Sequence, residues 1–244
     1  MRRVPTTRCA AVFIVCGVTL AQSPFTFKGA DGHFTIVMPA NWRETTRDEI
    51  DQYAKLLKQA TGADLPAYEA GFHLSGSDPF DLPYILVERP TPKTSYKDLK
   101  KQWSDGMLDD PRKDLNGKVS AVIGAPRSKS IRYLDLRHAV VTEMEAPRND
   151  GVVVRMMSAS YAGKAGVVSA YFYADKSSWG KYSDEFEGIL DSFNYEPGYE
   201  YNAAAATGGN HAQSWARVVA VAILGAVWAY FRNRKKKRGA EPTS

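Results

Sequence analysis

The sequence predicts an α+β fold, an antiparallel β-meander packed with helices, followed by one C-terminal transmembrane helix. Three observations carry this. Runs rich in β-branched and aromatic residues follow one another across tight turns in the second half of the chain. Three segments place apolar residues at helical spacing behind capping residues. Near the C-terminus an uncharged stretch edged by aromatic rings runs directly into a basic cluster.

Arg2, Arg3 and Arg8 precede the uncharged run 9–21, which is too short to span a bilayer and ends in the small-x-small pattern Thr19-Leu20-Ala21. Residues 1–21 therefore read as a signal peptide cleaved before Gln22. Both cysteines, Cys9 and Cys16, lie within it, so the mature chain has no disulfide, thiolate nucleophile or cysteine metal site. No Asn-x-Ser/Thr sequon occurs either, and both absences suit a bacterial envelope protein.

Residues 22–197 have the length of a single extracytoplasmic domain. Phe25-Thr26-Phe27 and the alternating Phe34, Ile36 and Met38 predict a hairpin about the turn 29–32, its second strand ending at Pro39-Ala40-Asn41-Trp42. Thr46-Arg47-Asp48-Glu49 is a capping box, and Ile50, Tyr53, Ala54, Leu57 and Ala60 continue it as a helix that Gly62 stops. Residues 63–81 read as irregular, and 82–88 as a buried strand closed by Pro90 and Pro92. Ser95 caps a second helix with Tyr96, Leu99, Trp103 and Met107 inward.

After Asn116-Gly117, strands are predicted at 119–123, 130–134, 138–145, 152–160 and 167–174, with Asn149-Asp150-Gly151 as the strongest hairpin turn. Ser183 is expected to cap a last helix facing inward through Phe186, Ile189, Leu190 and Phe193, with a short strand near Tyr195. Helices against one antiparallel sheet make a sandwich, because each helix has one apolar stripe to bury and the sheet one apolar face.

Residues 198–214, with four consecutive alanines and Gly208-Gly209, read as a flexible tether. Residues 215–231 read as the transmembrane helix, anchored at its edges by Trp215, Trp228, Tyr230 and Phe231, with Arg217 snorkelling to the outer interface. Arg232, Arg234, Lys235, Lys236, Lys237 and Arg238 then hold the tail 232–244 in the cytoplasm by the positive-inside rule. The expected location is the bacterial cytoplasmic (inner) membrane, single-pass, with the folded domain periplasmic.

The formal charge of +5 divides accordingly. Of 32 basic and 27 acidic residues, three basic ones lie in the leader and seven basic and one acidic in the span and tail, which leaves the domain acidic by four. The basic balance reports topology, and no nucleic-acid partner is expected.

The pattern Phe34-Thr35-Ile36-Val37-Met38-Pro39-Ala40-Asn41-Trp42 behind a short first strand, with a closing helix ending Ile189-Leu190-Asp191-Ser192-Phe193, resembles the PsbP-like (DcrB-like) group of sandwich domains. The likeness extends through the order of elements over most of the domain. Members commonly carry Gly where this chain has Asn41, which tolerates left-handed backbone almost as well. The resemblance implies the sandwich and a non-enzymatic accessory or binding role, and brings no catalytic residue with it.

Chemistry-bearing clusters are few. His33, His73, His138 and His211 form no pair at helical metal-site spacing, and His33 and His138 read as surface residues. His73, Ser75, Ser77 and Asp78 gather a base, hydroxyls and a carboxylate, but a hydrolase needs them to converge on an oxyanion hole and no Gly-x-Ser-x-Gly elbow is present. Turn chemistry accounts for the same residues. Asp109, Asp110 and Asp114 lack EF-hand spacing and read as a solvated helix end. No metal or other cofactor is expected. On the strand 167–174, Val168, Ala170 and Phe172 fit one face and leave Ser169, Tyr171 and Tyr173 on the other, either as an interaction surface or under a second layer of core.

The expected function is a membrane-anchored extracytoplasmic binding or accessory module, non-catalytic, whose partners are the lipid bilayer and an envelope protein. The alternatives are an envelope hydrolase built on the His73 to Asp78 loop and a carrier of a small ligand or metal ion.

Overall fold

A computed structural model describes residues 23–61, 67–91, 93–106, 124, 126–148 and 150–204. The predicted leader, the predicted transmembrane span and the basic tail lie outside the described residues, as do His211, Asp109, Asp110, Asp114 and the strand expected at 119–123.

β1 (Phe25–Gly29) and β2 (Phe34–Met38) are the predicted hairpin, in register from Phe25 opposite Met38 to Gly29 opposite Phe34. Period two buries Phe34, Ile36 and Met38 and leaves Val37 outside. Trp42 does not close this strand. It opens β3 (Trp42–Glu44) in a second sheet, after a turn in which its own N–H donates to Pro39 O at 3.0 Å. The indole is buried and its N–H donates to the Glu185 carboxylate, which fixes the crossing between sheets.

α1 (Arg47–Thr61) starts at the capping box: the Thr46 N–H donates to Glu49 Oε2 at 2.8 Å and the Glu49 N–H to Thr46 Oγ1 at 3.3 Å. The stretch expected to be irregular contains β4 (Tyr68–Leu74), paired with both β3 and β5 (Tyr84–Thr91). Almost all of β4 is buried, so it shows no inside–outside alternation. Gly71 in its middle also hides the pattern; a Cβ there would come within 3.2 Å of Leu86 and Thr45. β5 runs past Pro90, because the register shifts between Glu88 and Thr91 and the proline sits in that irregularity.

α2 (Tyr96–Gly106) is capped by Ser95, whose Oγ accepts the Asp98 N–H at 3.0 Å. β6 (Arg127–Leu134), a 3-10 turn at Asp135–Arg137, β7 (Ala139–Pro147), β8 (Val153–Ala162) and β9 (Val167–Asp175) form the expected meander. Its β7–β8 turn closes with the Gly151 N–H on Arg148 O at 3.1 Å, Gly151 at φ 88°. α3 (Trp179–Asp191) begins a turn before Ser183, because Trp179 and Tyr182 extend the apolar stripe of Phe186, Ile189 and Leu190. β10 (Asn194–Tyr195) returns to β2.

Two sheets therefore replace the single one expected. The larger has the order β3-β4-β5-β9-β8-β7-β6 and the smaller β1-β2-β10. Ile50 and Tyr53 of α1 and Tyr96, Leu99 and Trp103 of α2 cover one face of the large sheet. α3 and the small sheet cover the other, where Phe193 stacks on Tyr161 at 3.7 Å and on Phe34 at 5.2 Å. A helix stripe alone is too narrow for seven strands, and the hairpin completes that layer. The fold is a sheet-rich α+β sandwich with three helices among its described residues.

The strand pairings define two ends. Ser75 and the β7–β8 turn stand at one; the β8–β9 turn, the 3-10 turn and the β1–β2 turn stand at the other. The chain leaves the domain at the second, the exit end.

Candidate functional site

His73 lies within β4, not on a loop, and is buried. The Arg43 Nε–H donates to its Nε2, so the neutral ring carries its proton on Nδ1 and donates to Thr45 Oγ1 at 2.8 Å. Burial first, and the Arg43 charge second, hold its pKa below the usual histidine range. The Ser75 N–H donates to Asn41 O at 2.8 Å, and the Ser77 hydroxyl donates to Leu74 O at 2.8 Å. Both ring nitrogens are thus occupied by partners other than a serine, and the group predicted from the sequence does not assemble as nucleophile and base.

Ser169, Tyr171 and Tyr173 are buried, under the layer formed by α1 and α2. Their face is core, not an interaction surface, because those helices require an apolar floor. Ser169 shares a 3.0 Å hydrogen bond with Ser160, and Tyr171 donates to buried Glu88 at 2.7 Å. Tyr173 stacks on Tyr84 at 4.7 Å, and its hydroxyl has no hydrogen-bond partner among the described residues; neither does that of Tyr68. Burial, with neighbouring phenols adding to it, pushes the Tyr173 pKa well above the usual range.

The exit end carries the more accessible geometry. The segment that follows β10 is packed onto the domain where a free tether was expected from 198. The Glu196 N–H donates to His33 O at 2.7 Å, the Lys164 N–H donates to Tyr199 O at 3.0 Å, and the Tyr96 N–H donates to Tyr201 Oη at 3.1 Å. Two histidine–tyrosine contacts hold the segment: His33 stacks on Tyr199 at 3.6 Å and His138 meets Tyr201 at 4.4 Å. Both histidines have left-handed backbones, φ 51° and 49°, a conformation several-fold enriched in histidine and otherwise costly outside glycine. They turn the chain at the start of β2 and of β7, and both are half-buried, not open surface.

Beside this segment lie two open clefts. One of about 460 Å³ is lined by His138, Lys164, Gly198, Glu200, Tyr201 and Asn202. The other, about 260 Å³, is bounded by Leu136, Arg137, Tyr161, Phe193 and again Glu200 and Tyr201. Beside Leu136 in the 3-10 turn, Asp135 accepts from Lys100 Nζ at 3.0 Å and from Tyr96 Oη at 2.9 Å, and those two donors hold its carboxyl below the usual range. The larger cleft offers an ammonium, an imidazole, a carboxylate, an amide and a phenol, a set suited to a polar ligand or a polar segment of a partner. The signal for it in the sequence is Tyr199-Glu200-Tyr201, since aromatic residues are out of place in a linker.

Among the described residues, no group of three or more His, Cys, Asp or Glu side chains is placed to hold a metal ion, and no helix is long and apolar enough to cross a membrane.

No protein-family model and no curated protein matches the chain. Among solved structures it is similar to the solution structure of cyanobacterial PsbP (CyanoP) from Synechocystis sp. PCC 6803, at 12% identity and a TM-score of 0.48, over 79% of this chain and 100% of that one. The likeness has the name of the group read from the Phe34 to Trp42 and Ile189 to Phe193 motifs, and it says nothing of ligand or partner.

Proposed function

We propose that this chain is a membrane-anchored extracytoplasmic binding or accessory module of a bacterial envelope complex, and that the cleft along His138, Lys164, Glu200 and Tyr201 is its contact site. In this reading residues 1–21 are removed on export, 215–231 span the cytoplasmic membrane, and the basic tail stays inside. The observation that carries it is the packing of Glu196 to Tyr201 onto the exit end, which builds the cleft out of the same segment that leads to the predicted anchor. A partner in the same membrane meets that end first.

The module is read as non-catalytic. The engagement of both His73 nitrogens supports this against a hydrolase on the His73 to Asp78 stretch. A small-ligand carrier is the second reading, favoured by the 460 Å³ cleft, which falls within the usual range of ligand sites.

The test is site-specific photo-cross-linking in intact membranes, with the photoreactive residue at Lys164 in the cleft or at Ser75 at the far end. The proposal expects one partner, in near-equal amount, from position 164 alone. Equal capture at both positions, or none with the protein folded and inserted, contradicts it.

A further inference from the structure

We propose that the exit end is also a lipid-contacting surface, with Leu136 as the side chain that enters the headgroup–acyl boundary; this rests on the membrane-anchored reading above. Three large apolar side chains stand exposed among the described residues, and two of them, Tyr133 at 39% and Leu136 at 99%, sit together at this end. Leu136 is the middle residue of the Asp135–Arg137 turn between β6 and β7 and borders the cleft made by the departing chain.

Around it is the collar of residues that suits an interface. Lys100 lies 4.9 Å from the Tyr133 ring, Arg137 is next in sequence, and Tyr201 lines the same cleft. Tyrosine and Lys or Arg with an aliphatic tip is the composition of interfacial anchors. Three carboxylates lie near the tip: Asp135 is paired with Lys100 at 3.0 Å, Asp191 with Arg137 at 3.3 Å, and Glu200, on the same cleft, accepts the Gly198 N–H at 2.7 Å. The first two therefore add little net repulsion toward anionic headgroups, and Glu200 is the one carboxylate of the cleft without a cationic partner among the described residues.

With the proposed anchor at 215–231, chain length favours this end over the other as the one that meets the bilayer. Ten residues separate Ala204 from Trp215, where the predicted span begins. Fully extended they reach about 36 Å, and as a Gly- and Ala-rich coil their root-mean-square span is about 17 Å. β8 alone, from Val153 to Ala162, sets the opposite end roughly 33 Å farther along the strands. In the proposed topology the lipid surface lies within the tether's root-mean-square span of the exit end, and the far end stands a strand length beyond it.

In full-length protein with Cys9 and Cys16 replaced by serine, single cysteines at Leu136, Ser75 and Ala220 are each spin-labelled in nanodiscs of mixed neutral and anionic lipid. Accessibility to oxygen and to a water-soluble nickel chelate is then read. The proposal expects the ratio of oxygen to nickel accessibility at position 136 to be several-fold above that at 75 and below that at 220. A label at 136 as open to nickel as the one at 75, with 220 in hydrocarbon, overturns the proposal and leaves the anchor intact. A label at 220 open to nickel overturns both. Leu136 is almost wholly exposed, so its replacement does not test folding in place of lipid contact.

Discussion

Two phenols on β9, two residues apart on one face, are predicted to respond to the same substitution with opposite signs. Tyr173→Phe removes a fully buried hydroxyl with no hydrogen-bond partner among the described residues. Such a group is desolvated on folding without compensation, which costs about 1–3 kcal/mol. The phenylalanine keeps the stack on Tyr84, so the variant is expected to gain about 1–2 kcal/mol. Tyr171→Phe instead deletes the 2.7 Å hydrogen bond to buried Glu88 and is expected to lose about 1–3 kcal/mol. In a domain of this size each kcal/mol moves Tm by about 2–4 °C. Differential scanning calorimetry at neutral pH should therefore place Tyr173→Phe a few degrees above the parent and Tyr171→Phe several degrees below it. A loss of more than 1 kcal/mol in Tyr173→Phe would refute the reasoning, since the hydroxyl would then have a partner.

Further predictions concern pH and packing. The His73 pKa is lower folded than unfolded, so its contribution to stability is complete above the unfolded value near 6.5. It is lost as pH falls through the folded value, at no more than about 1.4 kcal/mol per pH unit. Urea midpoints between pH 7.5 and 5 should decline in the parent and decline less in His73→Gln; parallel curves would exclude His73 as the cause. Burial raises the Tyr53, Tyr68, Tyr161 and Tyr173 pKa values, so stability is complete below about pH 10 and is lost above it. Ultraviolet titration should show these phenols ionising together with unfolding, and a smooth titration of a folded protein would contradict their burial. Gly163→Ala would set a Cβ within 2.4–2.7 Å of the Tyr195 ring, whose hydroxyl donates to Tyr161 O at 2.8 Å. It should cost about 1–3 kcal/mol and open the exit segment to protease near Tyr199, whereas a protease pattern unchanged from the parent would show the segment held by other means.

Much of the sandwich is legible because it is written locally. The Thr46 and Ser95 caps, the alternating β2 and the β6–β9 meander each depend on spacing within a few residues. What escapes is set by tertiary context. β4 is buried on both faces and interrupted by Gly71, so neither alternation nor β-branched content marks it, and His73 passes for a loop residue. Trp42 changes sheet because Glu185, 143 positions away, receives its indole N–H. Tyr171 and Tyr173 alternate as a surface pair would, and only the placement of α1 and α2 makes them core. The clefts of the exit end are likewise invisible in spacing, because their walls come from the β8–β9 turn, the 3-10 turn and the chain after β10.

The proposed membrane span and its orientation are open to a direct test. Single cysteines at Ser75 and at Ser244 in full-length protein, probed in spheroplasts with a membrane-impermeant maleimide, test this directly. The account predicts labelling at 75 in intact spheroplasts and at 244 only after permeabilisation, with both forms retained in the carbonate-washed membrane pellet. Labelling of 244 without permeabilisation, protection of 75, or release of the protein into the wash would contradict it.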